Sequence, residues 1–243
     1  GMRDKVKIFT KVGSDLGLPG HKGLSKAWIQ QAVDDSLRRL NTDYIDLYIV
    51  HSFDFMTPLE ETLSTLNDLV HQGKVRYLGC SNFYAWQLMK ALSISEKHSW
   101  EKFVSLQAHY SLISRDLEIE LVPLCQDQGL GVTPWSPLGG GFLTGKYPRG
   151  GAGPKDARRT KEEQNFIQID EDRAYAILDE VKRIADARGR HLRRRHGQQR
   201  DGGRAQDRGL RAVADDLRQS CIRAAIAPAA CSGGMYAHLP STA

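Results

Sequence analysis

The chain has 243 residues, of which 40% are hydrophobic and 26% charged, and its formal net charge is +5. No apolar run reaches the ~18 residues of a membrane span, and Arg3-Asp4-Lys5 leads into a strand-like run with no signal-peptide pattern, so neither an integral membrane protein nor a processed secreted one is expected. The four cysteines, at 80, 125, 221 and 231, form no C-x-x-C pair; Cys80 and Cys125 lie in apolar stretches and read as buried free thiols of a cytoplasmic protein.

In chain order, two patterns alternate. Val6-Lys7-Ile8-Phe9-Thr10-Lys11 is short and β-branched, a strand signal. Ser25 then caps a helix whose apolar positions are Ile29, Val33, Leu37 and Leu40. Tyr44 to His51 is the second strand. Thr57-Pro58, with Glu60 and Glu61 behind it, opens a helix lined by Leu63, Leu66, Leu69 and Val70 and closed by Gly73, the usual Pro-first, Gly-last asymmetry. Val75 to Cys80 is the third strand, followed by a helix over 85–93. Phe103 to Gln107 is the fourth, with a helix over 117–128. Leu130 to Trp135 is the fifth, and a last helix fits 171–187. Strands alternating with helices predict parallel βα units. At this length an α/β chain can be one barrel or one to two smaller domains; a (β/α)8 barrel takes roughly 250 residues, and here 188 residues hold five units.

Polar residues mark the carboxyl end of each strand: Lys11, His51, Ser81-Asn82, Gln107 and Trp135-Ser136. In a parallel barrel these ends converge on the face where active sites form. Each has a plain structural explanation alone: a solvated lysine, a structural histidine, a turn or cap. Five in order, one unit apart, point together to a site. No metal-ligand spacing is present.

The segments Phe9-Thr10-Lys11-Val12-Gly13, Asp46-Leu47-Tyr48-Ile49-Val50-His51, Gly79-Cys80-Ser81-Asn82-Phe83, Gln107-Ala108-His109-Tyr110-Ser111-Leu112 and Pro134-Trp135-Ser136-Pro137-Leu138-Gly139-Gly140-Gly141 resemble the aldo-keto reductase family. The resemblance covers about residues 4–188, and the Trp-Ser-Pro-Leu form with Gly145-Lys146-Tyr147 resembles its bacterial and potassium-channel-β-like branch. It implies a parallel barrel, NADPH (NADH being possible as well), and reduction of aldehydes or ketones. Lys11 resembles the lysine that lowers the pKa of the family's catalytic tyrosine. His51 resembles the histidine that hydrogen-bonds the substrate carbonyl. Ser81, Asn82 and Gln107 resemble the residues that hold the nicotinamide carboxamide, and Trp135 takes the place of the aromatic that stacks on the ring. Ser136, Leu138 and Gly140 resemble the loop along the cofactor pyrophosphate.

The sequence also departs from that pattern. The family's first two strands, with an aspartate and the general-acid tyrosine, have no counterpart, so truncation at the N-terminus is expected. Tyr48, three residues before His51, is expected on the opposite face of its strand, and Tyr110 is a remote substitute. Residues 189–243 contain no Lys or Glu and carry ten Arg against four Asp, whereas residues 1–188 carry a net −1. No eighth strand is recognisable there. Out-of-frame translation after a frameshift near 188–190 is the favoured reading of this tail; a basic arm for nucleic acid and a natural disordered extension are the others. No nucleic-acid-binding fold is visible, so nucleic acid is not the expected partner. The domains are therefore a partial barrel over 1–188 and an Arg-rich tail over 189–243. The expected function is an NAD(P)H-dependent carbonyl reductase acting on a small molecule in the cytoplasm. The alternative is an inactive relative that at most binds nucleotide or another subunit, with exposed sheet edges inviting self-association.

Overall fold

The computed structural model describes residues 2–17, 20–151, 153–160 and 167–189. Five strands, β1 (Phe9–Val12), β2 (Ile45–Val50), β3 (Val75–Ser81), β4 (Phe103–His109) and β5 (Gly131–Trp135), pair in chain order, every pair parallel. Parallel neighbours need a crossover. The first four helices, α1 (Lys26–Leu40), α2 (Leu59–His71), α3 (Ala85–His98) and α4 (Leu121–Asp127), provide it, and α5 (Glu171–Ala187) follows the last described strand. This is the architecture expected of a partial (β/α)8 barrel.

Local chemistry sets the element ends. The Ser25 side chain accepts from the Trp28 amide to open α1, and Asn41, in the left-handed region at φ 49°, closes it. Glu60 and Glu61 lie in the first turn of α2 and His71 in its last, matching the helix dipole. Asp170 caps α5 by accepting from the Arg173 amide. Alternation along the strands separates two faces. Val12, Tyr48, Val50, Leu78, Cys80, Leu106 and Ala108 pack with Ile29, Val33, Leu63, Leu66 and Leu88 of the helices in one core. Lys11, Ile49, Gly79, Ser105 and Gly131, aligned across the ladders, lie on the other face. At the strand-start end, the Arg3 and Arg76 guanidinium groups lie 3.8 and 3.9 Å from the centre of the Tyr44 ring.

The structure corrects the predicted boundaries. The helix expected over 117–128 is broken into a 3-10 turn (Asp116–Glu118) and α4. Pro123 explains the break: its ring and missing N–H forbid a helical bond to Ile119, but at the third position of α4 no such bond is required. β1 starts at Phe9, not Val6, because Arg3–Lys5 form a 3-10 turn. Pro58 caps α2 from just outside it, and α3 runs on to His98. The Arg-rich tail, apart from Gly189, lies outside the described residues.

Leu66 is fully buried in the core between helices and sheet. Leu66→Ala is expected to destabilise the fold by about 2–5 kcal/mol, read in urea as a lower midpoint at unchanged slope.

Candidate active site

The five predicted positions lie at the carboxyl end of the sheet in strand order. Lys11, exposed, pairs in register with Ile49, two residues before His51. The His51 amide donates to the Val12 carbonyl at 2.8 Å, and the Asn82 amide donates to the Gln107 carbonyl at 3.1 Å. Gln107 is opposite Ser81 on one side and Thr133 on the other. Trp135 is opposite His109.

Asn82 joins three of the strands. It sits in the left-handed region at φ 57°, a conformation that Asn tolerates better than most residues. Its side-chain Nδ2 donates to the His51 carbonyl at 3.0 Å, and its Oδ1 accepts from the Trp135 indole at 3.0 Å. Each end of a carboxamide has capacity for one further hydrogen bond. Ser81, beside it, is buried, and its hydroxyl has no hydrogen-bond partner among the described residues.

Burial, reinforced by the Lys11 cation, holds the His51 imidazole below its ordinary pKa. Its Nδ1 is in hydrogen-bond contact with the Ser14 hydroxyl. The Trp135 ring stacks on His109, centroids 4.5 Å apart at 21°, and burial likewise lowers the His109 pKa against the opposing pull of Asp116.

Of the two tyrosines singled out in the sequence, Tyr48 is shut in the core with no hydrogen-bond partner for its hydroxyl among the described residues, and Tyr110 is bonded elsewhere. Tyr48 is fully buried on the helix side, and burial pushes its hydroxyl far above the ordinary range. Tyr110 packs against the same core and donates to Glu118.

After β5, a glycine-rich loop folds back on itself. Ser136 is left-handed at φ 51°, and Gly139, Gly140 and Gly141 all have positive φ. A Cβ at Gly139 would lie 2.5 Å from the Ile113 Cδ1 and would push that side chain aside, and φ 57° strains any larger residue there. The amides of Gly139, Gly141, Phe142 and Leu143 donate to carbonyls inside the loop; those of Leu138 and Gly140 are not among these donors. The loop packs Phe142, Leu143 and Tyr147 against Ala174, Tyr175 and Leu178 of α5 in a second core.

A sequence model of the Aldo/keto reductase family matches residues 1–194. The chain belongs to this family. It is 49% identical over 123 residues to the aldo-keto reductase AMT2 of Alternaria alternata, covering 51% of this chain and 34% of that protein. It is 41% identical over 162 residues to the uncharacterized oxidoreductase YrpG of Bacillus subtilis, covering 65% and 50%. It is 38% identical over 174 residues to the versiconal hemiacetal acetate reductase of Aspergillus parasiticus, covering 69% and 48%. The chain thus spans about a third to a half of the length of these curated relatives.

Around this candidate site of the aldo-keto reductase chain, sequence reasoning missed three residues. His109 lies two residues beyond Gln107, so strand alternation alone would have placed it on the same face. Ser14 and Asp54 are loop residues, each with a partner that another unit carries, His51 and Leu24. Asp54 accepts from the Leu24 amide, the Met56 amide and the Thr57 hydroxyl at 2.7–2.8 Å. No periodicity announces such contacts.

Proposed function

We propose that the chain carries the catalytic face of an NAD(P)H-dependent oxidoreductase that reduces aldehydes or ketones to alcohols. The observation that supports it best is the strand-end constellation itself: Lys11 beside His51, and Asn82 tying the His51 carbonyl to the Trp135 indole. We assign His51 to the substrate carbonyl, where an N–H stabilises charge developing on oxygen. Lys11 adds a positive field at the same place.

The residues present fit a nicotinamide cofactor. The partnerless Ser81 hydroxyl, the remaining capacity of Asn82 and the adjacent Gln107 suit a carboxamide, and Trp135, backed by His109, offers an aromatic plane. Ser136, Leu138 and Gly140 suit a pyrophosphate, because the glycines at 139–141 leave backbone N–H groups of the loop open to an anion. When bound, the dinucleotide supplies the hydride. NADPH is the proposed form, and the bacterial and potassium-channel-β-like branch the proposed lineage, on the Trp135-Ser136-Pro137-Leu138 and Gly145-Lys146-Tyr147 segments. We place the reaction in the cytoplasm, in keeping with the buried free thiols of Cys80 and Cys125.

The burial of Tyr48 and the bond from Tyr110 to Glu118 favour, as a second reading, nucleotide binding without efficient turnover. Steady-state NADPH oxidation with an activated aromatic aldehyde, alongside titration of NADPH by tryptophan quenching, separates the two. Slow turnover that Gln107→Ala weakens through KM is the expected result. Binding without turnover gives the second reading, and neither binding nor turnover overturns both.

A further inference from the structure

We propose that Ser14 is a positioning residue that fixes the tautomer of His51, leaving the N–H on Nε2 for the substrate carbonyl. This rests on the reading of His51 given above.

A neutral imidazole has one N–H and one bare nitrogen, and the partner at one nitrogen decides which is which. Among the described residues, the hydrogen bond of the His51 ring is made at Nδ1, to the Ser14 hydroxyl. When that hydroxyl donates, Nδ1 is the bare nitrogen and Nε2 carries the proton. The opposite tautomer would set the Nε2 lone pair against the carbonyl oxygen and repel it. A hydroxyl can donate or accept; the donating arrangement at Nδ1 is the one that presents an N–H at Nε2 to the substrate carbonyl.

The chain that leads into Ser14 runs close against Leu24. Gly13 turns the chain at φ 104°, and a Cβ there would lie 3.0 Å from the Leu24 Cδ2. Leu24 is itself fastened at both ends: its amide donates to Asp54 at 2.8 Å, and its carbonyl accepts from the Thr62 hydroxyl at 3.1 Å. Asp54 lies three residues after His51. The loop that carries Ser14 is therefore stapled to the loop that follows His51. The His51 backbone is pinned on both sides as well, its N–H to Val12 and its carbonyl to Asn82. With the main chain fixed, the contact at Nδ1 sets both the ring orientation and its proton.

The test uses the 243-residue chain isotopically labelled at the histidine nitrogens, with the His51 signals identified by their loss in His51→Gln. Long-range nitrogen–proton correlation spectra at neutral pH are expected to show the Nε2–H tautomer. Ser14→Ala is expected to shift His51 to a mixture or to the Nδ1–H form, and Ser14→Thr, which keeps the hydroxyl, to restore Nε2–H. An Nδ1–H tautomer in the unmodified chain overturns the proposal, as does an unchanged tautomer in Ser14→Ala. If Ser14→Ala fails to fold, the tautomers of the unmodified chain and of Ser14→Thr decide. The readout needs no turnover, so a chain that reduces nothing would sink the functional reading and leave this one standing.

Discussion

His51→Ala is expected to abolish carbonyl reduction, a loss of at least about 10²-fold, the ordinary size of an acid–base or oxyanion contribution. The pH profile carries the finer expectation. Burial first and Lys11 second hold the His51 pKa below its ordinary value. The ring is therefore neutral at neutral pH and gains its proton only below about 6.5, the usual histidine value. Reduction that draws a proton from His51 will be slow at neutral pH and will rise as pH falls below that point. Lys11→Met removes the cationic contribution and is expected to move the rise to higher pH. Tyr110→Phe is expected to leave the rate unchanged, because that hydroxyl is spent on Glu118. Rates measured over roughly pH 5–8 test all three. If Tyr110→Phe kills activity and His51→Ala does not, the active face is misplaced.

The second large effect concerns stability. The Asp46 side chain is only 4% exposed and receives Arg3 at 2.8 Å, Lys7 at 3.1 Å and the Ile8 amide at 3.0 Å. Burial alone would raise its pKa; the Ile8 amide and the two cations outweigh that and bring it down to about 2. Asp46→Ala removes the ion-pair partner of Arg3 and Lys7 and leaves the Ile8 amide without its acceptor, at an expected cost of roughly 2–3 kcal/mol. A depressed carboxylate stabilises fully above its unfolded value of 3.8 and loses that contribution as pH falls toward about 2. Urea unfolding at neutral pH should separate the variant from the unmodified chain, and acidification through that window should bring their midpoints together. Equal midpoints at neutral pH would show that the ion cluster contributes nothing.

Much of this molecule is readable from its sequence, for physical reasons that differ by element. β-branched runs gave the five strands, since a half-buried pleated surface favours such residues. The three-residue offset between Tyr48 and His51 placed them on opposite faces by strand alternation alone. The spacing of Ile29, Val33 and Leu37 gave α1 because its packed stripe recurs with the helical period, while Leu40, the last helical residue, is exposed. The helix predicted over 117–128 was not read correctly because apolar spacing says nothing about what Pro123 does to the bond before it. In the site, strand-end residues were legible because their position follows from the strands. Ser14, 37 residues from His51, was not, since a contact between loops depends on how two units dock. The same holds for Asp54 and Leu24.

The chain-order arrangement of the sheet bears on how such a protein can change. Among the described residues, each strand is bonded only to its neighbours in sequence, so a cut between two units severs one ladder and leaves the others whole. Each unit also delivers its own chemical group to the shared rim. Splicing a βα unit from another barrel at such a junction exchanges one functional group and one loop while leaving the neighbouring ladders in register. Variation by recombination is therefore graded: the rim can be revised one group at a time.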